Sequence, residues 1–308
     1  MFHRLSSFQR VALWTTAITY FLILVGGLVR ASGAGLGCPD WPRCFGGWIP
    51  PMSAADLPPQ FDASQFNAAL MWTEYLNRVL GMAVGFFVLA TVVSAWRHHR
   101  REPRILWTSI AALLLTGFQG WLGGRVVANE LAAWIVTVHL IVALVIVQML
   151  LFVTVAATQH PSTPAPLHAS TPAPVHPRVF ALVLMVLTLV QIGLGTQVRG
   201  AVDAALDAGT ARDGALATVG VIDHLHRDTA LAVLLGAVLL TWWLFSRRSP
   251  QLPWSYAVVA LAVLQVAIGV AMAYGSLLPA AQVLHLTIAS LLLGAETVLL
   301  LLSGRETA

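Results

Sequence analysis

Apolar residues dominate eight long stretches of the chain, about 11–29, 72–96, 105–124, 132–157, 178–198, 220–245, 253–273 and 281–303. A helix needs roughly 20 mainly apolar residues to cross the hydrocarbon core of a bilayer. The pattern therefore predicts an all-α membrane protein with eight transmembrane helices. Arginines punctuate the gaps unevenly. Arg4, Arg10, Arg97, Arg100, Arg101, Arg104, Arg247, Arg248 and Arg305 all fall on one side of such a bundle. Positive residues in short loops mark the cytoplasmic side, so both termini are expected there. The longer gaps, about 30–71 and 199–219, fall on the opposite side, where Asp56, Asp62, Asp203, Asp207 and Asp213 offset the arginines.

The motifs repeat in order. GGLVRASGAG resembles GTQVRGAVDA, EYLNRVLG resembles DHLHRDTA, QGWLGGRVVA resembles QVAIGVAMAY, and VTVHLIVALV resembles QVLHLTIASL. The offsets are close: 226 − 77 = 149, 265 − 119 = 146 and 285 − 139 = 146. Each half then reads as a four-helix bundle. An even number of spans between equivalent helices makes the halves parallel repeats about an axis along the membrane normal. The predicted division is 1–157 for the N-terminal half, 158–177 for a cytoplasmic linker and 178–308 for the C-terminal half. The linker is rich in Pro, Thr and Ala, and His160, His168 and His176 within it read as solvated residues rather than metal ligands.

Composition adds little to this but limits function. The chain is 58% hydrophobic and 10% charged, against about 25% charged residues in soluble domains. All 17 basic residues are arginine, and the net charge of +4 sits in short flanking loops. It reports topology, and no nucleic-acid partner is expected. The first apolar run continues into a full span, so no cleavable signal peptide is expected. With so short a head before it, a bacterial plasma membrane is the expected location.

Ionisable groups inside a membrane are costly and mark functional sites. His226 and His285 stand near the outer starts of helices six and eight, at similar depth. Two imidazoles facing each other across a four-helix bundle suit a six-coordinate haem iron. Zinc usually wants four close ligands, and the bland alternative is a pair of unrelated interfacial histidines. His224, two residues from His226, points to the other side of its helix. In the first half, His139 is the copy of His285, but Asn77 is the copy of His226 and is a poor iron ligand. Glu74 precedes Asn77 by one turn, as Asp223 precedes His226, and residues at i and i+3 share a face. Glu74 is therefore expected beside a five-coordinate haem held by His139, a candidate for reaction chemistry. Its other reading is a carboxylate favoured by the helix dipole. Arg78, Arg227, Arg30, Arg199 and Arg125 flank these positions. An arginine fork pairs with carboxylates, so they are candidates for haem propionates as well as for interfacial anchoring. Cys38 and Cys44 lie on the oxidising side, and both a structural disulfide and a redox-active pair are open readings. Glycines at 26–27, 81, 85, 120, 123–124, 193 and 195 allow close approach of helices or of a macrocycle, with helix packing the first reading.

The loop GLGCPDWPRCFG, the motif EYLNRVLG, the helix-four VHL, the pair His226–Arg227 and the late His285 together resemble the haem A synthase family, over nearly the whole chain. The resemblance implies an enzyme of two four-helix halves that oxidises a ring methyl of haem O to the formyl group of haem A, for terminal oxidases. It implies that His226 and His285 ligate haem b and that His139 holds the substrate haem. Glu74 then matches an important carboxylate, and Cys38 and Cys44 match a loop cysteine pair. Haem O synthase is the implied supplier, and an electron donor such as quinol is required. The family's E-x-x-H-R reads E-x-x-N-R here, with Asn77 at the histidine position. Two further readings of the residues are a two-haem cytochrome b moving electrons from quinol and a non-catalytic haem carrier.

Overall fold

The computed structural model describes residues 5–157 and 177–303, apart from Asp213, Ser276 and the side chain of Gln65. The linker histidines His160, His168 and His176 lie outside the described residues. Eight helices carry the chain: α1 Ser7–Ala31, α2 Ala68–His99, α3 Pro103–Ala128, α4 Ala133–Ala156, α5 Pro177–Asp207, α6 Val221–Ser246, α7 Leu252–Tyr274 and α8 Pro279–Ser303. Each is long and apolar enough to cross a membrane, and the chain is a multi-pass membrane protein.

Local chemistry sets the helix ends. Ser6 caps α1 in a reciprocal box: its hydroxyl accepts from the Gln9 N–H at 3.1 Å, and the Gln9 side chain accepts from the Ser6 N–H at 2.8 Å. Asn67 caps α2 by accepting from the Leu70 N–H. Prolines stand in the first turns of α3 and α7, where the missing N–H costs nothing.

α5 and α2 outrun their apolar stretches furthest. α5 continues nine residues past the predicted end at 198, to Asp207. Asp203 lies one turn after Arg199 and pairs with it at 2.8 Å, so polar residues extend the helix beyond the lipid-facing segment. α2 runs to His99, and its last turn holds Arg97, His98 and His99, which favour a helix C-terminus.

Within residues 5–157, α1 packs on α2, α2 on α3, α3 on α4, and α4 back on α1. Within residues 177–303, the order α5, α6, α7, α8 closes in the same way on α5. Across the middle, α8 meets α1 and α4, and α4 meets α5. α8 is thus the most enclosed helix, with 67% of its apolar window buried, against 11–33% for the others. Close approach needs small residues on its neighbour. A Cβ on Gly27 of α1 would stand 3.2 Å from Leu286.

Residues 32–67 form a compact loop between α1 and α2 around a Cys38–Cys44 disulfide. Both cysteines are buried against Phe45 and Met71, with Phe61, Phe66, Trp72 and Tyr75 packed on them.

Candidate functional site

The decisive geometry lies in the second half. His226 on α6 and His285 on α8 face each other with ring centres 6.4 Å apart. Two imidazoles bound end-on to one ion, with metal–nitrogen distances of about 2 Å, place their ring centres roughly 6 Å apart. A cavity of about 430 Å³ holds both rings in its wall. Among the described residues no three of His, Cys, Asp or Glu converge as a metal cage. Two opposed imidazoles between wide apolar walls suit a flat macrocyclic metal complex better than zinc, which usually takes four close ligands.

Glycines shape the room for these rings. A Cβ on Gly195 of α5 would stand 3.0 Å from Cε1 of His226, and one on Gly269 of α7 would stand 3.4 Å from Cε1 of His285. In the first half, a Cβ on Gly123 of α3 would lie 3.6 Å from Cε1 of His139, and one on Gly26 of α1 would lie 3.9 Å from Oδ1 of Asn77. Every odd-numbered helix thus presents a glycine to the ligand position on the helix that follows. These glycines leave room beside the histidine and asparagine side chains; the sequence reading favoured helix packing for Gly26, Gly123 and Gly195 and did not single out Gly269.

A glutamine stands four residues before three of the four glycines: Gln119, Gln191 and Gln265. Gln119 donates from Nε2 to the His139 carbonyl at 2.8 Å. The Oε1 atoms of all three glutamines are buried without a hydrogen-bond partner, as are Nδ1 of His139, His226 and His285 and Oδ1 of Asn77. A ligating histidine ordinarily donates its other ring N–H to a nearby acceptor. The rings of His226 and His285 lie beside the Gln191 and Gln265 backbone carbonyls, short of a closed hydrogen bond. On α1 the equivalent of glutamine is Leu22, so the fourth position lacks both the histidine and its glutamine. The glutamines were missed in the sequence reading, although Q-x-x-x-G recurs at 119, 191 and 265.

Residues 9–297 match the COX15-CtaA family, described as cytochrome oxidase assembly protein. The chain belongs to this family. Among curated relatives, the heme A synthase of Allorhizobium ampelinum is 30% identical over 211 residues, 62% of this chain and 54% of that protein. That of Rhizobium etli is 28% identical over the same shares. That of a Chelativorans species is 29% identical over 243 residues, 70% of this chain and 63% of that protein. The chain spans about half the length of the first curated relatives it matches.

In this COX15-CtaA member the arginines that flank the candidate site divide into two groups. Arg30, Arg199 and Arg227 line the second-half cavity. Arg30 and Arg199, repeat-equivalent residues on α1 and α5, converge on the single carboxylate of Asp203. Arg227 pairs with Asp223 at 2.6 Å and lies over the Tyr274 ring at 5.9 Å. Three cations against two aspartates leave the mouth net positive, and one helix of the first half contributes to it. Arg125 lies in the last turn of α3, where its carbonyl accepts from the Asn129 side chain.

Arg78 behaves differently. Its guanidinium donates to Glu74 from Nε and Nη2, to the Asp40 and Arg43 carbonyls from Nη1 at 2.7 Å each, and to the Cys38 carbonyl at 3.2 Å. An arginine has five N–H donors, and all are engaged, so the expectation of Arg78 as a propionate partner gives way to that of a loop clamp. Glu74, 4% exposed, also accepts from the Cys38 N–H at 2.8 Å. Its carboxylate therefore turns toward the disulfide loop. Asp40 completes the fastening by accepting from the Phe45 and Gly46 N–H groups at 2.6 and 2.8 Å. The held loop lays the Trp41 ring on α3, where a Cβ on Gly124 would stand 2.9 Å from it, one residue from the glycine that faces His139. The exposed His224 borders a smaller outer pocket with Asp223 and Arg227.

Proposed function

We propose that this protein is a haem A synthase of a bacterial plasma membrane, with both termini cytoplasmic. It oxidises the ring methyl of haem O to the formyl group of haem A. In this reading residues 1–157 and 178–308 are two parallel four-helix bundles joined by the linker 158–177. The observation that carries it is the His226–His285 pair, 6.4 Å between ring centres across a 430 Å³ cavity. Family membership and relatives named heme A synthase support it.

His226 and His285 would hold haem b from its two faces, with Gly195 and Gly269 giving the rings their approach. Arg30, Arg199 and Arg227 would meet the propionates at the outer mouth. In the first half His139, steadied by Gln119 through its backbone carbonyl, would hold haem O as substrate. Asn77 leaves the opposite face without a strong ligand. When bound, the haems supply the electron transfer and oxygen chemistry, and the protein supplies ligation, orientation and exclusion of side reactions. Glu74 is the carboxylate nearest that chemistry in sequence register. It acts on the site while holding, with Arg78, the disulfide loop that seats Trp41 beside it. A haem O synthase would supply the substrate, and a membrane reductant such as quinol would supply electrons.

The test is co-expression with a source of haem O, followed by extraction and mass analysis of the bound haems. Haem A or its hydroxylated precursor is expected. Protein that contains haem b yet yields neither overturns the enzyme reading.

A further inference from the structure

The second half contains an acid that ligation does not use. Glu296 lies on α8, eleven residues beyond His285, about 16 Å further along the helix. It is 1% exposed, amid the apolar side chains that pack α8 into the bundle. Its Oε1 accepts from the Thr188 hydroxyl of α5 at 2.8 Å, and its Oε2 is buried without a partner. Thr188 also lines the haem cavity, as do Ala289 and Leu292 of α8. The carboxyl is therefore one hydrogen bond away from the cavity wall.

Among the described residues no counter-charge is packed with it. α8 is packed by α1, α4, α5 and α7. On α5, Arg178 and Arg199 stand ten and eleven residues from Thr188, about 15 Å along the helix in either direction, and Asp203 and Asp207 are further out. On α1, Arg10 and Arg30 lie toward the helix ends, and the Tyr20 hydroxyl meets α8 at the Ser290 carbonyl and beside Gly294. Gly294 is two residues from Glu296, on the other side of α8. His139 is the titratable group of α4. Tyr256 and Tyr274 are those of α7, 51% and 81% exposed. An ionised carboxylate is costly in such a place unless a compensating positive charge stands nearby. The neutral acid, with a spare O–H, is the form the interior tolerates. A purely structural contact to Thr188 needs only an amide or a hydroxyl.

We propose that Glu296 is a proton-exchange site coupled to electron transfer in the His226–His285 cavity. This rests on the reading that a redox-active haem sits there. The exchange balances one for one. An electron from a membrane hydroquinone or equivalent reductant enters the cavity, and Glu296 takes one proton from water. When that electron leaves for the first-half site, one positive charge returns to the cavity and Glu296 releases the proton. Thr188 is the positioning residue that ties the carboxyl to the cavity wall.

The experiment is a redox titration of the haem-loaded full chain across the neutral and alkaline range, followed at the low-spin haem band. The midpoint potential of the unaltered protein should fall as pH rises. Glu296→Gln should keep the band and flatten that dependence, and Glu296→Asp should retain it in part. Reduced-minus-oxidised infrared difference spectra of the unaltered protein should show a carboxylic acid carbonyl band, a readout independent of whether the variants fold. A pH-independent potential, an unchanged slope in Glu296→Gln, or no such band overturns the proposal. Absence of the low-spin band from the unaltered protein instead defeats the haem reading on which it rests.

Discussion

The two copies of the acid-x-x-ligand-Arg motif use the same local geometry for different ends. In both, the acid and the arginine pair at i and i+4, Glu74 with Arg78 and Asp223 with Arg227. In the second half the position between them is His226, and Arg227 stays at the cavity mouth. In the first half that position is Asn77, and both charged residues turn to the outer loop, binding its Cys38, Asp40 and Arg43 backbone. The loop accounts for the difference. Residues 32–67 bring backbone donors and acceptors over α2, while the described residues of 208–220 make no such hydrogen bond with Arg227, whose partners are Asp223 and the Tyr274 ring. A pair buried with extra hydrogen bonds is held rigidly, whereas one at an open mouth remains available to an anion. On the proposed reading, the duplicated framework gives one site with two histidine ligands behind an open mouth and one site with a single histidine under a fastened loop.

The comparison is most easily broken at the ligands. His226→Ala or His285→Ala should abolish the low-spin haem spectrum, while His139→Ala should leave it intact. Equal loss in all three would show that the halves are not separate sites. The next largest effect is expected at Glu74→Ala. Turnover of haem O should fall on the order of a hundredfold or more with haem b retained, and the disulfide should become easier for a thiol to reduce. Glu74→Gln should protect the disulfide without restoring turnover if the acid acts in the reaction. If it restores both, Glu74 only holds the loop. Asn77→His should add a second low-spin haem signal, because Gly26 leaves room there. Failure to do so would mean that the glutamine replaced by Leu22 matters as much as the missing imidazole. The smallest effect separates the glycines. Gly195→Ala should strain the His226 ring by about 1–3 kcal/mol, read as reduced haem occupancy or a lower melting temperature. Gly26→Ala, whose Cβ would meet Asn77 only at 3.9 Å, should leave both nearly unchanged.

Much of this was legible in the chain. Eight apolar stretches give eight membrane helices because a segment that crosses lipid must satisfy its own backbone hydrogen bonds. The repeat offsets pick out His139, His226 and His285 because a near-constant spacing of motifs puts equivalent residues on equivalent helices of the two halves. Cys38 and Cys44, six apart in a loop rich in glycine and proline, are placed so that a tight turn permits a disulfide, and the structure shows them bonded. The ends of α2 and α5 were less legible, because hydropathy measures contact with lipid while a helix continues wherever polar neighbours pair, as Arg199 and Asp203 do.

The sequence by itself determined the membrane class, the helix number, the repeat and the residue types able to hold a metal. It did so because each depends on local composition or on spacing along one helix. Tertiary structure decided which groups share a site. Only packing shows that a glycine of one helix gives way to the ligand of the next, that Arg30 of the first half joins Arg199 on Asp203, and that Arg78 has no donor left for a ligand. It likewise places Glu296 one hydroxyl from the cavity, since its partner Thr188 is 108 residues away in the chain.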